Sequence, residues 1–331
     1  MPTTLRPASP SDLPDMVGLL LADAQRRHRL NPILWAIARD AHGKVEDGLR
    51  FALEADKQPF RQRWLVAESD ARLVGLAHSM LLPVPPIYAG PWGDPGLLLG
   101  DCTVAEGAPA DTAASLIRAA ESDLRGAGAK LLLAAAVPGD VWQSHYAAQG
   151  YEPLTLYLGK IGLRETAIPD SIRPTVEDDI AGIVAHSAAH RRVIAGLSDF
   201  WTTHPDADAR FDNWMRRSLT FRDRDMLVAG PPGYVSGYAI AQPASPLHFP
   251  PAHDIGAVGI IDDYFHTEFS DPAEVVRGGA TAVALLQAAE SAFARRGTSA
   301  TLVICPAAWD SKREVLEGAG YRTALIWMRK Q

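Results

Sequence analysis

A mixed α/β fold built twice in tandem is what this sequence predicts, and three observations predict it. Segments of the first half recur in the same order in the second. Runs of strand length alternate with stretches of helical periodicity. Two proline-rich connections interrupt that order at corresponding places. Internal repeats of this kind govern the whole fold assignment. LRPASPSDLPDMVGLL from residue 5 matches IRPTVEDDIAGIVAHS from residue 172, so Arg6-Pro7 and Asp12 fall on Arg173-Pro174 and Asp179 at an offset of 167. WLVAESDARLVGLA at 64–77 matches MLVAGPPGYVSGYA at 226–239, with Val66 and Gly75 on Val228 and Gly237 at an offset of 162. LIRAAESDLRGAG at 116–128 matches LLQAAESAFARRG at 285–297, and Gly150-Tyr151 matches Gly320-Tyr321, at offsets of 169 and 170. Four collinear matches with so small a drift describe one duplicated unit with short loop insertions. The predicted domains are residues 1–163 and 171–331.

Each element of the unit can be read from both copies. TLRPA and SIRPT are short strands, followed by SPSD and VEDD, whose side chains suit a helix start. A second, charge-rich helix follows: KVEDGLRFALEAD in one copy, DADARFDNWMRRSL in the other. Two strands around a turn come next. The connections PVPPIYAGPWGDPG at 83–96 and PASPLHFPPAHDIG at 243–256 carry too many prolines for a central strand or a helix interior. LLLGDCTV at 97–104 and AVGIIDDYFH at 257–266 then return to strand character. The longest helical face is marked by Ala113, Leu116, Ala120 and Leu124, and again by Ala282, Leu285, Ala289 and Phe293. Gly126 or Gly128 in one copy and Gly297 in the other stop it. A buried-type strand, a short helix, the Gly-Tyr turn and a last strand close the unit. The predicted order is β-α-α-β-β-β-α-β-α-β.

Composition narrows the function classes. The chain has 331 residues, 47% hydrophobic and 21% charged, with a formal net charge of −7. That balance argues against a dedicated nucleic-acid or anionic-membrane binder. Two cysteines, Cys102 and Cys305, leave no disulfide framework and no cysteine-rich metal site. Both fall in apolar strands, where inert buried thiols are expected. No apolar run approaches bilayer length and the first residues carry no apolar signal core, so a cytoplasmic protein without membrane partners is expected.

The order of elements, with Arg-Pro near the first strand and Gly-Tyr before the last, resembles the GNAT superfamily of acyl-CoA-dependent N-acyltransferases. The resemblance covers both halves and so nearly the whole chain; tandem GNAT proteins form a known class. Its most specific feature is a loop of type R/Q-x-x-G-x-G/A that opens the long helix. RGGATAVALL at 277–286 fits as Arg277, Ala280 and Ala282, with Leu285-Leu286 in the paired apolar positions; a second register takes Gly278 and Ala280 as the small pair. The chemistry of such a loop suits CoA. Small residues (Gly278, Gly279, Ala280, Thr281 and Ala282 here) bring backbone N–H groups close to a pyrophosphate at a helix start, and Arg277 adds a cation. The first copy reads APADTAASLI at 108–117, with Ala108 and Asp111 in place of Arg277 and Ala280. An Asp111 cap would occupy the donors a phosphate needs, and Pro109 removes one more. Acetyl-CoA is therefore expected on the second half, as co-substrate and without a metal.

The resemblance also implies a base on the fourth strand of the unit and a Tyr in its last helix as acid. Asp262 and Asp263 lie on that strand in the second copy. Strict alternation lets at most one of them face a cleft, with Asp262 sharing its face with Tyr264 and His266. Asp262 is the first choice as base, with Asp263 matching Asp101 and suiting a structural contact. His266 is a rival base, and its place at the strand end before the phosphate loop also makes it a cofactor-binding candidate. The motif Y-x-x-x-G-Y appears as Tyr146 to Tyr151 in the first copy, while Leu316 holds the Tyr position in the second. The half with the phosphate loop thus lacks the usual acid. His186 and His190, at i and i+4, lack the Glu and third ligand of a zinc helix and read as a solvated or cleft-lining face. His190-Arg191-Arg192 and Arg26-Arg27-His28-Arg29 read as exposed basic helix ends, or, by the resemblance, as walls of an acceptor pocket. Trp35 and Trp201 read as core or pocket lining. The function expected is transfer of an acetyl group to the amine of a small molecule or peptide; the alternative is a non-catalytic CoA-binding or scaffold protein.

Overall fold

The computed structural model describes residues 3–85, 87–88, 90–273 and 279–331. The first half runs β1 (Thr4–Pro7), α1 (Leu13–Leu30), α2 (Ala41–Glu54), β2 (Gln62–Ser69), β3 (Arg72–Leu81), β4 (Gly96–Leu98), β5 (Thr103–Val104), α3 (Thr112–Gly126), β6 (Leu132–Ala136), α4 (Val141–Ala148) and β7 (Glu152–Ile161). The second runs β8 (Ile172–Pro174), α5 (Ile180–Leu197), α6 (Ala207–Ser218), β9 (Asp225–Ala229), β10 (Gly237–Pro243), β11 (Val258–His266), α7 (Ala280–Arg295), β12 (Ala300–Pro306), α8 (Asp310–Gly318) and β13 (Arg322–Lys330). The second half has the predicted order. In the first, the single strand expected at 97–104 divides into β4 and β5.

The repeated residues have identifiable local work. Arg6 makes a two-pronged ion pair with Asp12 at 2.7 and 2.8 Å, and Arg173 repeats it with Asp179 at 2.6 and 2.7 Å. Each carboxylate also accepts a backbone N–H three residues back, from Ser9 or Val176. The bridge ties the first strand to the following helix start and holds both carboxyls below the usual range. Gly75 and Gly237 stand where a side chain has no room: a Cβ would come within 2.9 Å of Leu116 in one half and 2.3 Å of the His266 ring in the other. Gly150 and Gly320 take φ of 86° and 91°, the left-handed turn before the last strand of each unit.

All the strands join in one sheet, in the order β1-β2-β3-β4-β6-β13-β7-β12-β11-β10-β9-β8, with β5 beside β3. The last strands are exchanged. β7 lies between β13 and β12, so both its neighbours belong to the second half. β13 lies between β6 and β7, so both its neighbours belong to the first. Only β4–β6 and β11–β12 are parallel among the described strand pairs.

α1 and α2 bury Met16, Val17, Leu20, Val45 and Leu49 on Trp64, Val66 and Leu76. α3 buries Leu116, Ile117, Ala120 and Leu124 with Leu65, Ala67 and Ala77. These residues alternate along β2, so the helices cover opposite faces. Over the middle of the sheet the cover is loop rather than helix. Leu34, Trp35, Ala244 and Phe249 pack there with Tyr157, Leu302, Leu325 and Trp327. The loops cross between halves. Ala38 N–H donates to Ala252 and Asp254 N–H to Ala36, while His204 N–H donates to Ile87 and Tyr88 bridges Thr203. Each proline-rich connection is thereby held against the other half. Among the described residues no helix is long and apolar enough to cross a membrane.

Candidate active site

The parallel pair β11–β12 is hydrogen-bonded only from Val258↔Ala300 to Ile261↔Val303. Beyond that register the strands part, and the gap opens beside Asp262. A bulge falls at the same place: Tyr264 is opposite Ala239 and Ile261 opposite Ala241, leaving Asp262 and Asp263 together opposite Ile240. A bulge breaks the period of two. Both carboxylates therefore face the α5 side. Asp262 Oδ2 lies 3.4 Å from the Gln242 amide, and Asp263 Oδ1 accepts from the Tyr238 hydroxyl at 3.3 Å and lies 3.7 Å from His190 Nδ1. Tyr264 turns to the opposite side, its hydroxyl donating to the Ala282 carbonyl at 2.7 Å. Strict alternation thus fails here: Asp262 and Asp263 share a face, and Tyr264 does not share it with Asp262.

Asp262 is exposed to solvent although protein surrounds it, which places it on the floor of a cleft. The surrounding protein, and then the charge of Asp263, push its carboxyl up to about 7. His190 is buried, with its ring stacked on Phe265 at 5.4 Å, and burial lowers its affinity for a proton. Tyr88 reaches this cleft from the first half's proline-rich connection and packs on Trp201 at 5.1 Å. Burial, then Asp263 and Asp262, raise its hydroxyl above the ordinary value.

The opposite side of the gap carries a groove. It runs between α7 and α8, has a volume of about 520 Å³, and is lined by Gly279, Val283 and Gln287 on one wall and Glu314, Val315, Gly318 and Ala319 on the other. Gly279 holds the N-cap of α7 with φ of 49°, a left-handed conformation that suits glycine. Ala280 is exposed and Thr281 half-buried at the helix start, whereas the N–H of Ala282 donates to Glu268 Oε2 at 2.8 Å. Arg277 and Gly278 lie outside the described residues. Gly279, Ala280 and Thr281 thus form the start of α7, with Gly279 at the groove and the Glu268 carboxylate close by. His266 is buried, and both its ring nitrogens are engaged: Nδ1 accepts from the Glu268 N–H at 3.1 Å and Nε2 is 3.2 Å from Ser236 Oγ. It caps the turn after β11 rather than facing the carboxylates.

The gap itself holds Trp309 and Lys312, neither anticipated there. Trp309 Nε1 donates to the Phe269 carbonyl at 3.0 Å and Ser311 Oγ to that of Asp271 at 2.7 Å, so the start of α8 is fastened to the segment after β11. Lys312 is 1% exposed, with its ammonium 5.3 Å from the Trp309 ring, 5.6 Å from Tyr264 and 6.0 Å from Phe269. One signal was available in the sequence. Ser311, Lys312, Val315 and Leu316 form the buried stripe of α8, and a lysine in an apolar stripe is anomalous.

The first half is arranged differently. Its parallel pair ends at Leu98↔Ala134. Arg27 lies over the gap that follows, donating to the Gly100 carbonyl and to Asp23, with its guanidinium 5.5 Å from the Trp35 ring. α1 and α5 are equally long, so Asp23 and Arg27 correspond to His190 and Ile194; the ion pair that spans the first gap has no counterpart in the second. The basic clusters are accordingly exposed only in part: Arg29 and Arg192 face solvent as expected, and residues before them do not. Arg27, His190 and Arg191 are 4%, 8% and 3% exposed, with Arg191 paired to Asp208. Asp111 occupies the N-cap of α3 without a side-chain hydrogen bond, so the carboxylate that occupies a helix-start donor is Glu268 in the second half and not Asp111 in the first. Tyr146 is fully buried beside Cys102, its hydroxyl raised well above its ordinary value by burial. Burial likewise pushes both cysteine thiols up to about 12, as inert thiols require. Among the described residues no group of three or more His, Cys, Asp or Glu could hold a metal ion.

No protein-family model matches this chain, and no curated protein matches its sequence. Solved structures do match its fold. A GCN5-related N-acetyltransferase from Sphaerobacter thermophilus aligns over 99% of this chain and 95% of its own, with 15% identity and a TM-score of 0.53. A GCN5-related glucosamine N-acetyltransferase region of a fungal multi-domain β-N-acetylglucosaminidase aligns over 99% of this chain and 38% of its own, with 14% identity and a TM-score of 0.53. A tandem GNAT protein from the clavulanic acid biosynthesis pathway aligns over 99% of this chain and 98% of its own, at 15% identity and a TM-score of 0.49. At these identities the likeness to the first two is one of fold, and it extends over both halves of this chain.

Proposed function

We propose that this protein is an acetyl-CoA-dependent N-acetyltransferase whose chemistry lies in the second half. The observation that carries the reading is the gap between β11 and β12, with two carboxylates on one side and a groove that opens at a helix N-terminus on the other. The donor lies in the groove between α7 and α8. Its pyrophosphate meets the backbone of Gly279, Ala280 and Thr281, where the helix start favours negative charge, with Arg277 and Gly278 next in the chain. The amine acceptor, from a small molecule or a peptide, enters from the α5 side between Asp262 and Tyr88. Asp262 takes the amine proton as general base, and attack on the acetyl carbonyl proceeds without a covalent enzyme intermediate. A carboxyl that titrates near 7 is matched to that task, because about half of it is ionised at neutral pH and it is basic enough to accept a proton. In the first half Arg27 spans the corresponding gap, which supports one donor site rather than two.

Titration calorimetry with acetyl-CoA tests the binding, and thiol release across an amine panel tests the transfer. Saturable binding with release for at least one amine is expected; no binding at high micromolar concentration overturns the reading. The Glu268 carboxylate at Ala282 favours a second reading, a scaffold protein without transfer, because a negative charge there opposes a pyrophosphate. Glu268→Gln separates the cases. The amide oxygen still accepts from the Ala282 N–H while the charge is gone. Acetyl-CoA affinity should rise about fivefold, the equivalent of about 1 kcal/mol of relieved repulsion. Unchanged affinity would place the phosphates elsewhere.

A further inference from the structure

We propose that Lys312 is the group that protonates the departing thiolate in the second half, in place of the tyrosine that this half lacks. The inference rests on the acetyl-transfer reading. Lys312 lies one helical turn before Leu316 and so on the same face of α8. Leu316 holds the position that Tyr146 holds in the first half.

Three features set Lys312 apart from a structural lysine. It is 1% exposed, yet no carboxylate lies within 4.0 Å of its nitrogen among the described residues, and no acceptor takes its protons. A buried, unpaired ammonium costs several kcal/mol, and an apolar residue in this stripe of α8 would avoid that cost. The ammonium is instead held by the π faces of Trp309, Tyr264 and Phe269, which stabilise a cation without consuming its N–H donors. Its position is also suited to the role. Glu314 and Val315, on the same helix, line the groove, and burial lowers the affinity of Lys312 for its proton against the opposing pull of Cys305 on β12 and of Asp263 and Asp262 across the gap. His190 on α5 feels it in turn. Lys312 therefore stands between the donor groove and the acceptor side, with no carboxylate within 4.0 Å of its nitrogen among the described residues.

The transfer then balances. The amine nitrogen bonds to the acetyl carbon, the carbon–sulfur bond breaks, and the electron pair leaves on sulfur. Lys312 gives a proton to that sulfur and becomes a neutral amine. The proton that Asp262 removed from the acceptor passes to solvent, and solvent restores the Lys312 ammonium.

The test compares CoA with desulfo-CoA, which lacks the sulfur, by titration calorimetry in two buffers of different ionisation enthalpy. At a pH one unit above the pKa of the bound thiol and well below that of the free thiol, the native protein should bind CoA about tenfold more tightly, and release about one proton on binding CoA but none with desulfo-CoA. Lys312→Met should abolish both differences while keeping desulfo-CoA affinity. Lys312→Arg should retain part of each. Equal affinity for the two ligands, or a gap that persists in Lys312→Met, overturns the role of Lys312 and leaves the donor site standing. Failure of the native protein to bind either ligand overturns the transferase reading and this inference with it.

Discussion

Asp262→Asn should lower kcat/KM for acetyl transfer by about 10²–10⁴-fold, the usual range for loss of a positioned general base. The native rate should rise with pH through about 7 and level off above it, because the carboxylate accepts a proton only when ionised and its pKa stands near 7. The variant should lose that limb. Stability should move the opposite way. The folded carboxyl keeps its proton up to about pH 7, whereas the unfolded one ionises in the ordinary range near 4. Between those values the folded state binds the extra proton, so stability falls as pH rises through that window. Asp262→Asn should flatten this dependence and melt higher than the native protein at about pH 8. Activity retained in Asp262→Asn, with the limb near pH 7 intact, would move the base to another group. Asp263→Asn is the control. Asp263 shares the face and is tied to Tyr238 and His190, so its loss should lower the rate less and keep the limb, moved to lower pH because the charge that helps raise the Asp262 carboxyl is gone.

Neither half should fold alone. A chain of residues 1–163 would contain β7 but neither of its neighbours, since β13 and β12 both belong to the second half. A chain of residues 171–331 would contain β13 without β6 or β7. Each piece exposes a long apolar strand with unpaired backbone, which leads to aggregation. Co-expressed, the two pieces should associate and recover a single cooperative melting transition. Removal of residues 322–331 from the full chain should unfold the first half as well as the second, read as loss of protection of β6 amides in hydrogen exchange. Two soluble, independently melting halves would show that the exchanged strands can return to their own units.

The same comparison shows why the repeat was legible and the seam was not. Arg6, Asp12 and their counterparts act within a few residues of each other, so the sequence carries their spacing directly. Gly150 and Gly320 mark a backbone conformation that belongs to the turn itself. The strands β7 and β13 are equally apolar whether they pair with their own unit or the other. Nothing local distinguishes the two partners, because ladder hydrogen bonds are made by backbone that every residue shares.

The candidate site divides along the same line. Asp262 and Asp263 stood out as an acidic pair on an apolar strand. Their common face depends on a bulge against Ile240, fixed by pairing with a strand some twenty residues away. Arg27 and His190 read as exposed because a run of basic residues usually is; α1 and α5 carry them inward over the gaps because the sheet parts beneath them. Tyr88 was hidden in a proline-rich connection and is brought to Asp262 only by the crossing of loops between the halves.

By itself, then, the sequence determined the duplicated unit, the order and type of its elements, the helix start that suits a phosphate, and the lack of a tyrosine in the last helix of the second half. These follow from periodicity, from turn chemistry and from residue type, all short-range properties of the chain. Tertiary structure alone decided the exchanged strands, the face that Asp262 and Asp263 share, the entry of Tyr88, and the burial of Lys312 in the gap. Each of these is a contact between distant segments. Its free energy depends on which surfaces meet and exclude water, a choice that no stretch of sequence encodes alone.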